Sequence, residues 1–296
     1  MTFLLKNLGC NSGYLSPKAL KDLGYAFIET SLGKQLPYPR MVQKILADLD
    51  EAKLIKMDYA IHLPVHLSED WLEKYDCYDA FYLDPAEGLR NMAFEMLEDN
   101  LKKMSKKYLP MYYVIHFPGI YSLETCYPDD FEIVLTNALH RLSELAERYH
   151  CKIALEYFAT NARFSDYRHW IKALEKFPRL YPLLDTGHLY FNCHKNKNDF
   201  DEVMKGLAPH CIGFHLWNIF GEGYYDQSSA YQKYHHIIPH KGQTRELGWA
   251  FDPEITIPYL YGFDKPLLVE AGQRFNGESY FLEGLIQIIG MLRKSE

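Results

Sequence analysis

The stretch LLDTGHLYF, residues 183–191, decides how this chain is read. Two leucines run straight into Asp185, and His188 follows three residues later before the segment turns apolar again. A carboxylate at the end of a core run costs several kcal/mol to bury unless it is paired or coordinates a metal. Other apolar runs in the chain end in the same way. They are FLLKNL (3–8), YAFIET (25–30), MDYAIHLP (57–64), MYYVIHFPG (111–119), CKIALEYF (151–158), YPLLDTGH (181–188), CIGFHLWN (211–218) and PLLVEAG (266–272). From the third onward, each run ends at or near a chemical group: His62, His116, Glu156, Asp185 with His188, His215 and Glu270.

Between the runs lie segments with helical spacing. Residues 39–55 put Met41, Ile45, Leu46, Leu49 and Ala52 on one stripe, and residues 87–108, 130–150, 167–177, 199–207 and 279–294 behave alike. Each stripe is a core-facing helix face. Eight short runs alternating with helices predict parallel βα units, and an eightfold alternation over 296 residues predicts one (β/α)8 TIM barrel spanning residues 1–296. An open doubly wound sheet would more often carry a glycine-rich turn after its first strand, and none follows FLLKNL. Two connections are long, residues 65–86 and 219–250. In a barrel both fall at the C-terminal ends of the strands, where active sites are built.

Barrel closure would bring the strand-end residues round one mouth. Carboxylate oxygen and imidazole nitrogen without thiolate suit Zn, Mn, Mg or Co. A single histidine near a strand end is more often a satisfied rim residue, so the inference rests on the set. His66, His140, His150, His169, His194 and His210 fall on helices or connections and carry no such expectation. Within HHIIPHKGQ, residues 235–243, three histidines around a proline could be ligands or substrate contacts, and His240 is the favoured one. Trp217, Phe117, Tyr157 and Phe275 flank strand ends, where a ring could stack on a ligand or simply pack the loops; Lys241, Arg245 and Arg274 could hold a phosphate or carboxylate. There is no GxSxG elbow, no GxxxxGK[ST] loop and no HExxH.

The net charge is −7, with 32 Lys plus Arg against 39 Asp plus Glu, which argues against a general nucleic-acid binder. The six cysteines show no CxxC and no pairing pattern, so free thiols in a cytoplasmic protein are expected. No apolar run approaches the length of a membrane span.

Taken together, AIHLP, VIHFPG, ALEYF, LLDTGH, GFHLWN and LLVEAG, in this order on consecutive strands, resemble the xylose-isomerase-like TIM barrels. That superfamily holds sugar and sugar-phosphate isomerases and epimerases and the endonuclease IV (AP endonuclease family 2) enzymes. The resemblance to the isomerase branch implies one divalent ion on Glu156, Asp185, His215 and Glu270. Glu156 and Glu270 would exchange a proton at the substrate carbon, and His188 would touch a substrate oxygen. An ion on adjacent sugar oxygens acidifies the C–H between them by stabilising an enediolate, and a carboxylate on each face can remove and return the proton. His62, His116, Trp217, His240, Lys241 and Arg274 would then contact a carbohydrate or sugar-phosphate substrate.

The resemblance to the endonuclease branch implies a multi-zinc phosphoesterase in which His62, His116 and His188 join the ligands. That branch carries a D-x-H motif soon after the strand-seven histidine, where this chain reads LWNIFGEGYYDQ; His240 with Asp226 or Glu222 would have to substitute. The acidic balance and only ten arginines also fit poorly with duplex DNA. The isomerase or epimerase is therefore placed first. A barrel that keeps its ligands but only binds metal or sugar is a further alternative, and the resemblance leaves a homodimer open.

Overall fold

The computed structural model describes residues 5–32, 36–74, 81–118, 130–157, 166–221 and 235–293. Eight parallel strands close into a barrel in chain order: β1 Leu5–Asn11, β2 Tyr25–Thr30, β3 Asp58–His62, β4 Tyr113–Phe117, β5 Ile153–Tyr157, β6 Leu180–Asp185, β7 Phe214–Leu216 and β8 Leu267–Val269. The last strand pairs with the first through Leu8 opposite Leu267 and Cys10 opposite Val269. Helices α1 Pro17–Leu23, α2 Arg40–Leu54, α3 Glu69–Lys74, α4 Glu87–Met104, α5 Phe131–Arg148, α6 Tyr167–Leu174, α7 Thr186–Asn196 and α8 Phe200–Leu207 follow the strands, and Pro253–Tyr261 and Gly277–Leu292 complete the set. The (β/α)8 barrel expected from the alternation is the architecture observed.

Strand alternation sorts the residues into two cores. Ala60, Val114, Ala154 and Leu183, joined by Tyr112, form a small buried cluster of their own. Each of the first four stands two positions before His62, His116, Glu156 and Asp185, and residues two apart on a strand share a face. That face is the barrel interior. The residues between them, Ile61, Ile115, Leu155 and Leu184, belong instead to the large cluster shared with the helices. Small apolar side chains thus plug the barrel below, and the polar residues cap it above.

The helices bury the stripes that their spacing predicts. In α2, Met41, Ile45, Leu49 and Ala52 are buried as expected, while Leu46 is only half-buried and Val42 joins them; in α5, Val134, Leu135, Ala138, Leu139 and Leu142 are buried. A fully buried leucine or isoleucine contributes about 1.5–3 kcal/mol by leaving water. Caps set several starts: Ser16 accepts from the Ala19 amide, and Asp199 Oδ1 accepts from the Glu202 amide at 2.8 Å.

Four helices lie outside the expected stripes: α1, α3, α7 and Pro253–Tyr261. Two of them, at 7 and 6 residues, have too few turns to show a period, and Pro253–Tyr261 carries Pro258 inside it and is apolar at most positions, so no stripe stands out. The fourth, α7, starts inside LLDTGHLYF, so its first turn reads as the tail of strand six. β1 also continues past Leu8 to Asn11. Gly9 makes this tenable, because a Cβ there would lie 2.3 Å from the Phe27 ring of β2.

Cys10, Cys151, Cys193 and Cys211 are free thiols, three of them buried; Cys77 and Cys126 lie outside the described residues. Among the described residues, no helix is long and apolar enough to cross a membrane.

Candidate metal centre

LLDTGHLYF is the junction between β6 and α7. Asp185 ends the strand and is also the N-cap of the helix, its Oδ1 accepting from the His188 amide at 2.7 Å. The other oxygen, Oδ2, accepts from the indole Nε1–H of Trp217 at 2.7 Å. Thr186 supports the same junction, donating its hydroxyl to the Trp217 carbonyl at 2.8 Å and accepting from the Trp217 amide at 3.1 Å. The carboxylate that looked out of place in an apolar run is therefore fixed through both oxygens, aimed into the mouth of the barrel.

Register brings the remaining groups beside it. Asp185 is opposite His215, and His116 is opposite Glu156. Donor atoms of Glu156, Asp185, His215 and Glu270 all lie within 4.8 Å of one another, and so do those of His62, His116 and Glu156. Glu156 is common to both groups. Its Oε2 is 3.1 Å from His62 Nε2, 3.4 Å from His116 Nε2 and 3.6 Å from His215 Nδ1; its Oε1 is 3.5 Å from His188 Nε2. His215 Nδ1 also lies 2.8 Å from Glu270 Oε2. Glu156, Asp185 and His215 are fully buried.

The electrostatics are those of anions crowded without enough positive charge. Burial, then the charges of Glu156 and Glu270, hold the Asp185 carboxyl well above the usual carboxylate range. Burial pushes Glu156 up too, but His116 and His215 outweigh it and hold it well below. Burial pulls His215 down, yet Glu29, Glu270 and Glu156 together raise it well above an ordinary imidazole. Burial pushes Glu270 up, and His215 beside it brings it down to about 2. His188 is pulled down by burial to about 3, so its ring is neutral. Three carboxylates round one point repel, and a cation among them removes the penalty. Glu156 Oε1, His215 Nδ1 and Glu270 Oε2 are moreover buried without a hydrogen bond. Carboxylate oxygens and an imidazole nitrogen, converging and unsatisfied, fit a divalent metal.

The other expected contacts fall in different places. Trp217 is fully buried; besides bonding Asp185, its ring stacks on His236 at 4.2 Å, and Gly187 leaves space for it. It supports Asp185 and offers no open face to a sugar. His240 sits away from the cluster. Its ring stacks on Tyr280 at 3.7 Å, and its Nε2–H donates to the Tyr280 carbonyl at 2.8 Å. Lys241 and Arg274 are exposed; burial holds His235 and His236 below an ordinary imidazole, and the Arg274 charge adds to it. Arg245 is engaged by Asp201 through both terminal nitrogens. Phe117 is buried and stacks on Trp170, and Phe275 packs against Trp249 and Tyr280. Glu222, Asp226 and the side chain of Tyr157 lie outside what the structure describes.

Of three further groups at this mouth, sequence reasoning ranked two below His240 and passed over the third. His236 donates Nδ1–H to the Glu270 carbonyl at 2.8 Å, and His235 lies edge-on to Trp217 at 4.4 Å. Both are held by Ile237, which bridges Asn218 and Gly272. The third is Glu29 on β2, fully buried against His215.

The chain shares its architecture with known barrels. A 3-keto-D-glucoside 4-epimerase from E. coli superposes with a TM-score of 0.61 at 12% identity, over 97% of this chain and 99% of that one. A D-allulose 3-epimerase from Methylomonas sp., solved with D-allulose, gives 0.59 at 12% identity over 100% and 98%. A Mycobacterium smegmatis protein solved with magnesium, a xylose-isomerase-like TIM barrel, gives 0.57 at 12% identity over 98% of each. The chain shares the (β/α)8 barrel fold of these proteins. No family model matches the sequence, and no curated protein matches it.

Proposed function

We propose that this protein is a divalent-metal-dependent isomerase or epimerase acting on a sugar or sugar phosphate. The observation that carries the reading is the group Glu156, Asp185, His215 and Glu270, fixed at the mouth of a barrel shared with sugar epimerases. These four residues would hold the ion, and Mn, Mg, Co or Zn suits them. When bound, the ion supplies Lewis-acid polarisation of substrate oxygens. Glu156 and Glu270 each have a carboxylate oxygen that makes no hydrogen bond, and they would take a proton from the substrate carbon and return it. His188, neutral and beside Glu156, would hold a substrate oxygen. Trp217 and the first turn of α7 keep Asp185 in place throughout.

A second reading, a phosphoester hydrolase with more than one metal, draws on His62, His116 and Glu156. The Leu63 carbonyl at 3.1 Å takes the proton of His62 Nδ1, so in the neutral ring the Nε2 lone pair points at a Glu156 oxygen. Two lone pairs facing each other suit a cation between them.

Elemental analysis of protein purified without chelator separates the readings. About one ion per chain, with deuterium incorporation from D2O into a ketose or sugar phosphate, supports the epimerase or isomerase; two or three zinc ions per chain support the hydrolase. Retention of wild-type metal content by both Glu156→Gln and Asp185→Asn would sink the site itself.

A further inference from the structure

Glu29 stands one residue before the end of β2, and its side chain is fully buried. A buried carboxylate is costly unless something pairs with it. Among the described residues, its ion pair is with His215, whose Nε2 lies 3.2 Å from Oε1 and 3.3 Å from Oε2. The opposite ring nitrogen, Nδ1, lies 2.8 Å from Glu270 Oε2 and 3.6 Å from Glu156 Oε2. The imidazole thus bridges a carboxylate below and the candidate metal ligands above, and it is itself fully buried.

The geometry points to Glu29 as the positioning residue for His215. The Glu29 oxygens are the acceptors here, so Nε2 donates to Glu29. A cation among Glu156, Asp185 and Glu270 would take the place of the proton on Nδ1, leaving that nitrogen's lone pair facing it. The bond also fixes the ring plane and makes Nδ1 a better donor, as a carboxylate behind a ligating histidine does in metal sites. β2 gives the carboxylate a rigid base, because Glu29 is paired with Asn11 on one side and Ala60 on the other and its backbone has little freedom to move. Glu29 touches no reacting atom in this scheme; it acts through His215. The inference rests on the metal-centre reading above.

The test is metal affinity. Co2+ is titrated into metal-stripped protein against a chelating indicator, for wild type, Glu29→Gln, Glu29→Leu, His215→Ala and the Glu29→Gln/His215→Ala double variant. Circular dichroism checks that each is folded. Glu29→Leu is expected to weaken Co2+ binding by about 10- to 100-fold. Glu29→Gln, whose amide oxygen still accepts, is expected to show a smaller but measurable loss. With His215 removed, the Gln change is expected to cost nothing further, because the residue it acts through is gone. If the Leu variant does not fold, the Gln variant and its cycle decide. Unchanged affinity in Glu29→Gln overturns the inference, as does an equal loss with and without His215. A wild type that takes up no Co2+ overturns the metal reading and this inference with it; a wild type that binds while the Glu29 variants bind equally well overturns this inference alone.

Discussion

Gly187, in the first turn of α7, tests the packing that holds Asp185. A Cβ at this position would lie 2.2 Å from Trp217 Cζ2 and 2.3 Å from Cε2 and Cη2. Carbon atoms pack best at about 3.5–4.0 Å, so the indole would have to retreat by more than about 1 Å. It has little room to do so. Its Nε1–H is bound to Asp185 Oδ2, one face stacks on His236, and no part is exposed. Overpacking costs about 1–3 kcal/mol, and losing a hydrogen bond to a charged acceptor costs about 1.5–3 kcal/mol. Alanine returns about 1 kcal/mol through helix propensity. Gly187→Ala is therefore expected to destabilise the protein by about 1.5–5 kcal/mol, lowering the melting temperature by roughly 2 °C or more per kcal/mol. Gly290→Ala is the matched control. It lies inside Gly277–Leu292 with nothing within 4 Å of its Cβ position, and it is expected to stabilise by about 0.5–1 kcal/mol. Thermal melts and urea midpoints are measured for both variants beside wild type. A Gly187→Ala protein that melts at or above wild type would refute the claim that the indole is pinned.

Two thiols, half-buried Cys151 and buried Cys193, make stability fall with rising pH. Burial pushes Cys151 up to about 11 and Cys193 up to about 12, against an ordinary value of 9.0. Above pH 9 the unfolded chain loses these protons while the folded chain keeps them, so their contribution is complete below about pH 9 and drains away up to pH 11–12. The limiting slope is about 1.4 kcal/mol per pH unit for each thiol; urea midpoints that stay level from about pH 8.5 to 10.5 would contradict it. At the start of α8, Asp199→Ala removes the acceptor for the Glu202 amide and is expected to cost about 1 kcal/mol. A midpoint within error of wild type would show that water replaces the cap.

The barrel was legible because both of its periodicities survive in the amino-acid order. Strands buried on both faces read as short apolar runs, and α2, α4 and α5 are long enough to repeat their stripes several times. α1 and α3, at 7 and 6 residues, were too short to repeat a stripe, although α6 and α8 at 8 residues were read, and α7 was hidden by its cap. Asp185 closes a strand and opens a helix with one side chain, so the apolar letters on either side of it belong to different elements. Boundaries moved where close packing governs them: β1 runs on through Gly9 because Phe27 of β2 fills the space a side chain would need.

For the site, ending an apolar run in His, Asp or Glu is a sound signal when the last residue of a strand points inward, as His62 and Asp185 do. Glu29 could not be read that way, because β2 ends at Thr30 and the inward position is one earlier. Parity carries the information that run ends lose. Phe27 and Glu29 are two apart and share a face, just as Ala60 and His62 do, so Glu29 belongs to the same inner surface as the candidate ligands. His235 and His236 are harder, since their position comes from Ile237 bridging Asn218 and Gly272, which belong to the ends of different strands. The bond from Trp217 to Asp185 is of the same kind: a stacking aromatic and a supporting donor have one spelling, and only the closed barrel distinguishes them. What local order can report is which side of a strand a residue takes; which partner it meets there is set by closure.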